Sequence, residues 1–148
     1  ELVSLIDLPP TVLAAAGVEP QSSMRGRPVQ EIGRGARGDW GEEVFVQISE
    51  DVVGRAVRTR KWKYAVAAPG ADPIYDSGSD VYEETYLYDL EADPHERTNL
   101  VSDAAYSAVR KELAETLKRR MAEAGEAVPQ IKPARTASSP EGTENRAQ

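Results

Sequence analysis

The chain contains no cysteine, a single histidine (His95), a single phenylalanine (Phe45) and no initiating methionine. Without cysteine there are no disulfides, no thiolate zinc sites and no thiol nucleophile. With one histidine, a histidine-rich metal centre or a Ser-His-Asp triad chosen among several histidines is disfavoured. No apolar run approaches the roughly 20 residues that span a bilayer, so no membrane span is expected. The chain opens on Glu1 without the basic, then apolar, pattern of a signal peptide, and the missing Met suggests that residue 1 is not the natural start. Compartment is not fixed by any of these features. Cationic excess is missing too: 18 Lys+Arg stand against 25 Asp+Glu, a net charge of −7, and such a chain is a poor non-specific nucleic-acid ligand.

What is present fits one ordinary domain of 148 residues. Its centre is the stretch Gly54 to Val66, which predicts two strands joined by a tight turn at Arg60-Lys61. In that register Thr59 faces Trp62, Val57 faces Tyr64 and Arg55 faces Val66. Alternation then gives one aromatic, core-facing side and a second side carrying Arg58 and Lys63. Glu43 to Ser49 alternates as a further strand, and Thr85 to Leu90 as another, with Tyr86, Tyr88 and Leu90 opposite Leu87 and Asp89. A helix over about Asp103 to Ala124 places Tyr106, Val109, Leu113, Leu117 and Met121 on one stripe, with Gly125 as its stop. The stripe should cover the aromatic face of the sheet.

Leu2, Val3, Leu5 and Ile6 predict a short strand before Asp7, and Pro9-Pro10-Thr11 opens a helix ended by a left-handed Gly17. An isolated strand and helix cannot bury both their apolar faces, so this piece reads as the end of a larger α/β domain. The expected organisation is therefore residues 1–18 as that end, 19–42 as a connecting loop, 43–128 as a subdomain and 129–148 as a disordered tail. The fold class is α+β: a four-stranded antiparallel sheet packed by a long C-terminal helix and preceded by the last βα piece of another domain.

Candidate chemistry is sparse. His95 sits in a turn beside Pro94 and Glu96, where a surface role outweighs catalysis. Asp89, Glu91, Asp93 and Glu96 form a carboxylate run without the spacing of a calcium loop, and turn-forming explains them more cheaply. Glu50 and Asp51 lie at a sheet end where a structural pair with Arg55 is favoured over a ligand contact. Arg55, Arg58, Lys61 and Lys63 have the chemistry to hold a sulfate or phosphate, but a solvated sheet face is the usual outcome. Arg25, Arg27, Arg34 and Arg37 make the connecting loop basic in the same solvated way. No phosphate-binding glycine loop, nucleophile elbow or zinc motif occurs.

Several segments taken in order carry a resemblance. Asp7-Leu8-Pro9-Pro10-Thr11 through Ala16-Gly17 resembles the "DL-x-PT-x-L-x-x-AG" segment of the sulfatase family. Gly54 to Tyr64 resembles its "RA-x-RT…-W/Y-K-Y" hairpin, and Leu87 to Leu100 its "LYDL-x-x-DP-x-E-x-x-NL" signature. Met24-Arg25-Gly26-Arg27 is similar to the intervening "M-x-G-x-SL" segment, with Pro28 in place of its serine. The likeness runs over about residues 3 to 125 and stops before the tail. It implies the alkaline-phosphatase-like superfamily, hydrolysis of a sulfate-ester substrate, and a formylglycine and Ca²⁺ in the full-length enzyme. The formylglycine motif C/S-x-P-x-R is missing, because Ser138-Ser139-Pro140-Glu141-Gly142 ends on glycine rather than arginine. No two aspartates are adjacent, so the family's metal-binding pair is missing as well. No catalytic, cofactor-binding or metal-ligating role is therefore carried onto this chain. The implied reading is a C-terminal sulfatase fragment, inactive alone, that supports an N-terminal catalytic domain. Its expected substrate-pocket rim is Ser49, Glu50 and Asp51 with the Ala67–Glu84 loop. The alternatives are the corresponding part of a phosphodiesterase or phosphonate monoester hydrolase, and a free-standing binding module. In the last case, residues 1 to 17 would pack on the chain's own sheet.

Overall fold

A computed structural model describes residues 1–35 and 40–134. Residues 36–39 of the expected loop, with Arg37, and residues 135–148 of the expected tail, with Ser138 to Gly142, lie outside the described residues.

Four antiparallel strands form the body of one sheet: β1 (Glu43–Ile48), β2 (Gly54–Thr59), β3 (Trp62–Ala67) and β4 (Val81–Asp89), paired in that order. The β2–β3 turn is the two-residue Arg60-Lys61, and Val57 faces Tyr64 as the alternation predicts. Thr59 closes that turn through its side chain, whose Oγ1 accepts the Trp62 N–H at 2.8 Å. Chain order equals spatial order, so each strand meets its partner through a local connection.

Helix α3 (Ser107–Glu123) crosses the sheet and buries Leu113, Leu117 and Met121 against Val57, Tyr64, Val66 and Leu87. Tyr106 meets the Trp62 ring edge-on at 5.9 Å, extending the stripe one turn further back. The first turn of the expected helix is instead a 3₁₀ turn, Ala104–Tyr106, capped by Asp103, whose side chain accepts the Ala105 N–H at 2.9 Å. Gly125, at φ +90°, ends the helix.

Three features differ from expectation. A fifth strand, β5 (Gln130–Lys132), runs parallel to β4 and makes the sheet mixed; it falls in the stretch assigned to the tail. Ile131 pairs with Tyr82 and packs on the core, which gives this polar stretch an apolar anchor. Next, a bulge opposite Ala65 and Val66 puts one extra residue into β4. It brings Glu84 onto the helix-covered face with Leu87, whereas Tyr86 and Tyr88 stack on the opposite face at 5.9 Å. Finally, the strand expected before Asp7 is not formed. Leu5–Asp7 is a 3₁₀ turn, because the Asp7 carboxylate accepts the Ser4 N–H at 2.8 Å and curls the chain back on itself. Helix α1 (Leu8–Ala15) follows with its prolines in the first turn, and Gly17 is left-handed at φ +71° as predicted.

Residues 4–33 hold together through one polar clasp. The Asp7 carboxylate also accepts the Arg27 N–H at 2.9 Å, and Thr11 Oγ1 accepts the Val29 N–H at 2.9 Å. Gln30 Nε2 donates to the Thr11 carbonyl, also at 2.9 Å, just inside the short helix α2 (Gln30–Gly33). Gly26 lies flat against the Ile6 carbonyl: a Cβ there would sit 1.9 Å from the oxygen. The aspartate, threonine and glycine shared with the family pattern are thus the parts of this clasp.

Candidate functional site

The sheet has two unlike ends. The Arg60-Lys61 end is tight, while the other end carries the β1–β2 connection (49–53) and the long β3–β4 loop (68–80). The Ala68 N–H donates to the Val53 carbonyl at 2.8 Å and ties the two connections together. Ser49, Glu50 and Asp51 and the Ala67–Glu84 loop are therefore neighbours at one end of the sheet. Glu50 and Asp51 are exposed and Ser49 is half-buried.

At this end lies Arg55, the one fully described arginine that is buried. Its Nε donates to both oxygens of Glu126 at 2.9 Å, its Nη1 to the Gly54 carbonyl at 2.7 Å, and its Nη2 to the Ser77 carbonyl at 2.6 Å. The partner of Arg55 is thus Glu126, just past α3, rather than Glu50 or Asp51. Arg55 points to the helix side, in register with Val57, and its alternation with Val57 carried that information in the sequence. Glu126 had no such signal, because it lies 71 residues away in a connection.

Beside this pair an open groove of about 560 Å³ runs along the loop, lined by Arg55 and Glu126 themselves together with Gln47, Tyr75, Asp76, Ser77 and Asp80 among others. Ser49, Glu50 and Asp51 do not line it. The loop tip is rigidly built: Asp72 Oδ1 accepts the Ile74 N–H at 2.9 Å, and Asp76 Oδ2 accepts the Asp72 N–H at 2.8 Å. This turn holds Ile74 and Tyr75 in solvent, 77% and 84% exposed. A larger cavity, about 750 Å³, is the seam between the N-terminal segment and the β1 edge. Its cations are engaged there: Arg25 donates to the Glu123 carbonyl, Arg27 pairs with Glu31 at 2.6 Å and lies over the Trp40 ring at 5.0 Å, and Arg120 pairs with Glu123 at 2.8 Å.

Basic residues of the central hairpin do not converge on an anion site. Lys63 pairs with Glu96 at 2.6 Å, Lys61 with Glu91 at 3.5 Å, and Arg60 with Glu1 at 2.5 Å. Arg58 is exposed on the face opposite the helix. Between these charges that face is apolar, with Val46, Ile48 and Tyr86 each 46% exposed.

The carboxylate run builds a turn. Asp89 Oδ1 accepts the Glu91 and Ala92 N–H groups at 3.1 Å, and Asp93 Oδ2 accepts the Thr98 N–H at 2.8 Å. Glu96 holds a left-handed φ of +53° there, and His95 is exposed on its surface. Asn99 anchors the turn to the sheet: its Oδ1 accepts the Leu87 and Val101 N–H groups at 3.0 and 3.1 Å, and its Nδ2 donates to the Thr85 carbonyl at 2.9 Å. With Asp89 and Asp93 occupied by backbone donors, these residues do not fit a Ca²⁺ site. Among the described residues no three acidic or imidazole side chains gather as metal ligands.

A buried polar chain joins sheet and helix. Tyr64 donates to Glu84 at 3.2 Å, and Glu84 pairs with Arg110 at 3.2 Å. Burial, reinforced by the Glu84 charge, pushes the Tyr64 phenol well above its ordinary range.

Against known proteins, residues 1–123 match the family described as N-sulphoglucosamine sulphohydrolase, C-terminal. No curated protein sequence matches the chain. Among solved structures, the chain is similar to BT4656 in complex with its substrate D-glucosamine-2-N,6-O-disulfate (25% identity, TM-score 0.62, 79% of this chain and 23% of that one). It is similar to BT1596, a 2-O GAG sulfatase (26% identity, TM-score 0.60, 80% and 24%). In fold it also resembles the phosphonate monoester hydrolase of Agrobacterium radiobacter (24% identity, TM-score 0.51, 79% and 24%). The chain spans about a quarter of the length of these structures.

Proposed function

Because the chain belongs to the N-sulphoglucosamine sulphohydrolase C-terminal family of sulfatases, we propose that it is the C-terminal subdomain of a sulfuric ester hydrolase and acts by docking on an α/β catalytic domain. That domain would supply the nucleophile, the Ca²⁺ and the reacting chemistry. This chain would stabilise it and form one wall of the substrate pocket with the β3–β4 loop and the Ser49–Asp51 turn.

One observation carries the reading. The N-terminal segment leaves Leu5 82%, Val12 65% and Ile6 54% exposed, although its polar side is clasped by Asp7 and Thr11. A patch of this kind calls for a covering partner. Burying each such side chain is worth about 1.5–3 kcal/mol. A free-standing binding module would instead fold these residues onto its own sheet. The bare apolar face around Val46, Ile48 and Tyr86 offers a second contact area for the same domain.

The test mixes this chain with a separately expressed catalytic domain. The chain alone should not turn over an aryl sulfate in the presence of Ca²⁺. It should bind the catalytic domain, and Leu5→Asp combined with Val12→Asp should abolish binding while leaving the circular dichroism of the chain unchanged. Ca²⁺-dependent turnover by the chain alone would sink the proposal. The likeness to the phosphonate monoester hydrolase favours a second reading, in which the parent acts on phosphoryl esters. Comparing a sulfate ester with a phosphonate monoester on the full-length enzyme separates the two.

A further inference from the structure

Resting on that reading, we propose that the bare face of the sheet seats one α-helix of the catalytic domain, laid along β2 and β3 with its C-terminal end at Arg58. The shape of the face supports this. Register places Val46, Ala56, Ala65 and Tyr86 in one row across the four strands, and Ile48, Gly54 and Ala67 in a neighbouring row. The central strands thus carry small residues. The flanking strands carry Val46 and Ile48 on one side and the stacked Tyr86 and Tyr88 rings on the other. The result is a trough with a low floor and apolar walls. With strands about 4.8 Å apart, the walls stand roughly 14 Å from each other. A helix with its side chains is about 10–12 Å across, so one helix fills that width. Strands β2 and β3 have six residues each. They give the trough a length of about 20 Å, enough for about 13 helical residues. A second copy of this chain is a poor occupant: two-fold pairing of this face sets wall on wall and leaves the small-residue floor unfilled.

The charge on the trough sets the direction of the helix. At the hairpin end Lys63 is held by Glu96, Arg60 by Glu1 and Lys61 by Glu91. Arg58 is exposed there and makes no hydrogen bond or ion pair among the described residues. At the opposite end Glu50 and Asp51 are exposed and equally without partners among the described residues. One end of the trough therefore offers an uncommitted cation and the other uncommitted carboxylates. A helix has the complementary polarity, with partial negative charge at its C-terminus and partial positive charge at its N-terminus. Its last carbonyls belong at Arg58 and its first N–H groups at the Glu50–Asp51 end.

The experiment places a photo-crosslinking benzophenone side chain at Ile48 or at Arg58 in the full-length enzyme and maps the adducts by mass spectrometry. Ile48 lies opposite Gly54, four positions from Arg58 on β2. That spacing is about 13 Å, so both adducts should fall in one segment about nine residues apart, with the Arg58 adduct nearer its C-terminal end. The reverse order, scattered adducts, adducts in a second copy or no adduct would overturn the proposal. Ala56→Leu, which raises the floor, should lower the urea midpoint of the full-length enzyme and leave that of this chain alone unchanged; any other pattern counts against the proposal. Arg58→Glu should act in the same way and Arg58→Lys should restore the midpoint, whereas a loss equal for both replacements would refute the role of the charge. Turnover is read separately. An enzyme inert toward sulfate and phosphonate esters overturns the assigned function, and the adduct map still decides the trough.

Discussion

Replacing Glu126 by alanine removes the only carboxylate that faces the Arg55 guanidinium at hydrogen-bonding distance among the described residues. With Glu126 in place the Arg55 side chain is only 3% exposed, so the carboxylate rather than water neutralises it. Breaking a fully buried pair costs about 3–5 kcal/mol, because the remaining charge stays uncompensated. Two features lower that figure here: Glu126 is itself 20% exposed, and Arg55 keeps its bonds to the Gly54 and Ser77 carbonyls. The expected loss is about 2–3 kcal/mol, a large share of the roughly 5–15 kcal/mol that holds a domain folded. In urea, with a slope of about 1–3 kcal/mol per molar, the midpoint should fall by about 0.7–3 M. The double change Arg55→Met with Glu126→Ala removes the stranded cation and should be less destabilised than Glu126→Ala alone. It should not regain full stability, since carbonyls that Arg55 satisfied lose their donor. A loss under about 0.5 kcal/mol for Glu126→Ala, or a double variant as unstable as the two single losses summed, would refute the argument.

Gly26→Ala should free the N-terminal segment, because the added methyl cannot coexist with the Ile6 carbonyl 1.9 Å away. Hydrogen exchange at the Ser4 and Arg27 amides should accelerate while the β2 and β3 amides stay protected; unchanged protection at Arg27 would contradict the clasp. Asn99→Ala removes two hydrogen bonds to β4 and one to the Val101 N–H and should cost about 2–3 kcal/mol at roughly 1 kcal/mol each, measured by chemical denaturation. Tyr64 gives an alkaline signature. Its folded pKa is raised, so its contribution to stability is intact below the ordinary tyrosine pKa of about 10 and declines above it, as the unfolded phenol ionises and the folded one does not. Tyr64→Phe should therefore flatten the loss of stability above about pH 10, and an unchanged slope in urea titrations would count against it.

The central hairpin was legible because two local rules agreed: a two-residue turn fixes register, and alternation then fixes which side chains share a face. The stripe on α3 followed from helical periodicity alone and appears as Leu113, Leu117 and Met121 on the core. In β4 the alternation of Tyr86 and Tyr88 against Leu87 and Asp89 was legible and is observed, but the facing of Glu84 was not, since one extra residue opposite Ala65 and Val66 shifts the alternation there, and a bulge leaves no mark in composition. Strand β5 was missed because three residues flanked by polar sequence carry no period, and pairing with Tyr82 is a long-range gift. At the candidate site, the loop's position was readable from strand order, and so was its lack of cations. The pairing of Arg55 with Glu126 and the presentation of Tyr75 were not, because both arise from contacts between segments distant in sequence or from turn geometry.

The unequal ends of the sheet have a consequence for how this scaffold can diversify. At the Arg60-Lys61 end, turn, strand register and the Asn99 anchor leave no slack, and an inserted residue would displace side chains on both faces. At the opposite end, lengthening the 68–80 connection carries only the slow, logarithmic penalty of closing a larger loop. The 68–80 connection is therefore free to change in length and sequence without disturbing the sheet, while the signature turn and the hairpin stay constrained by folding.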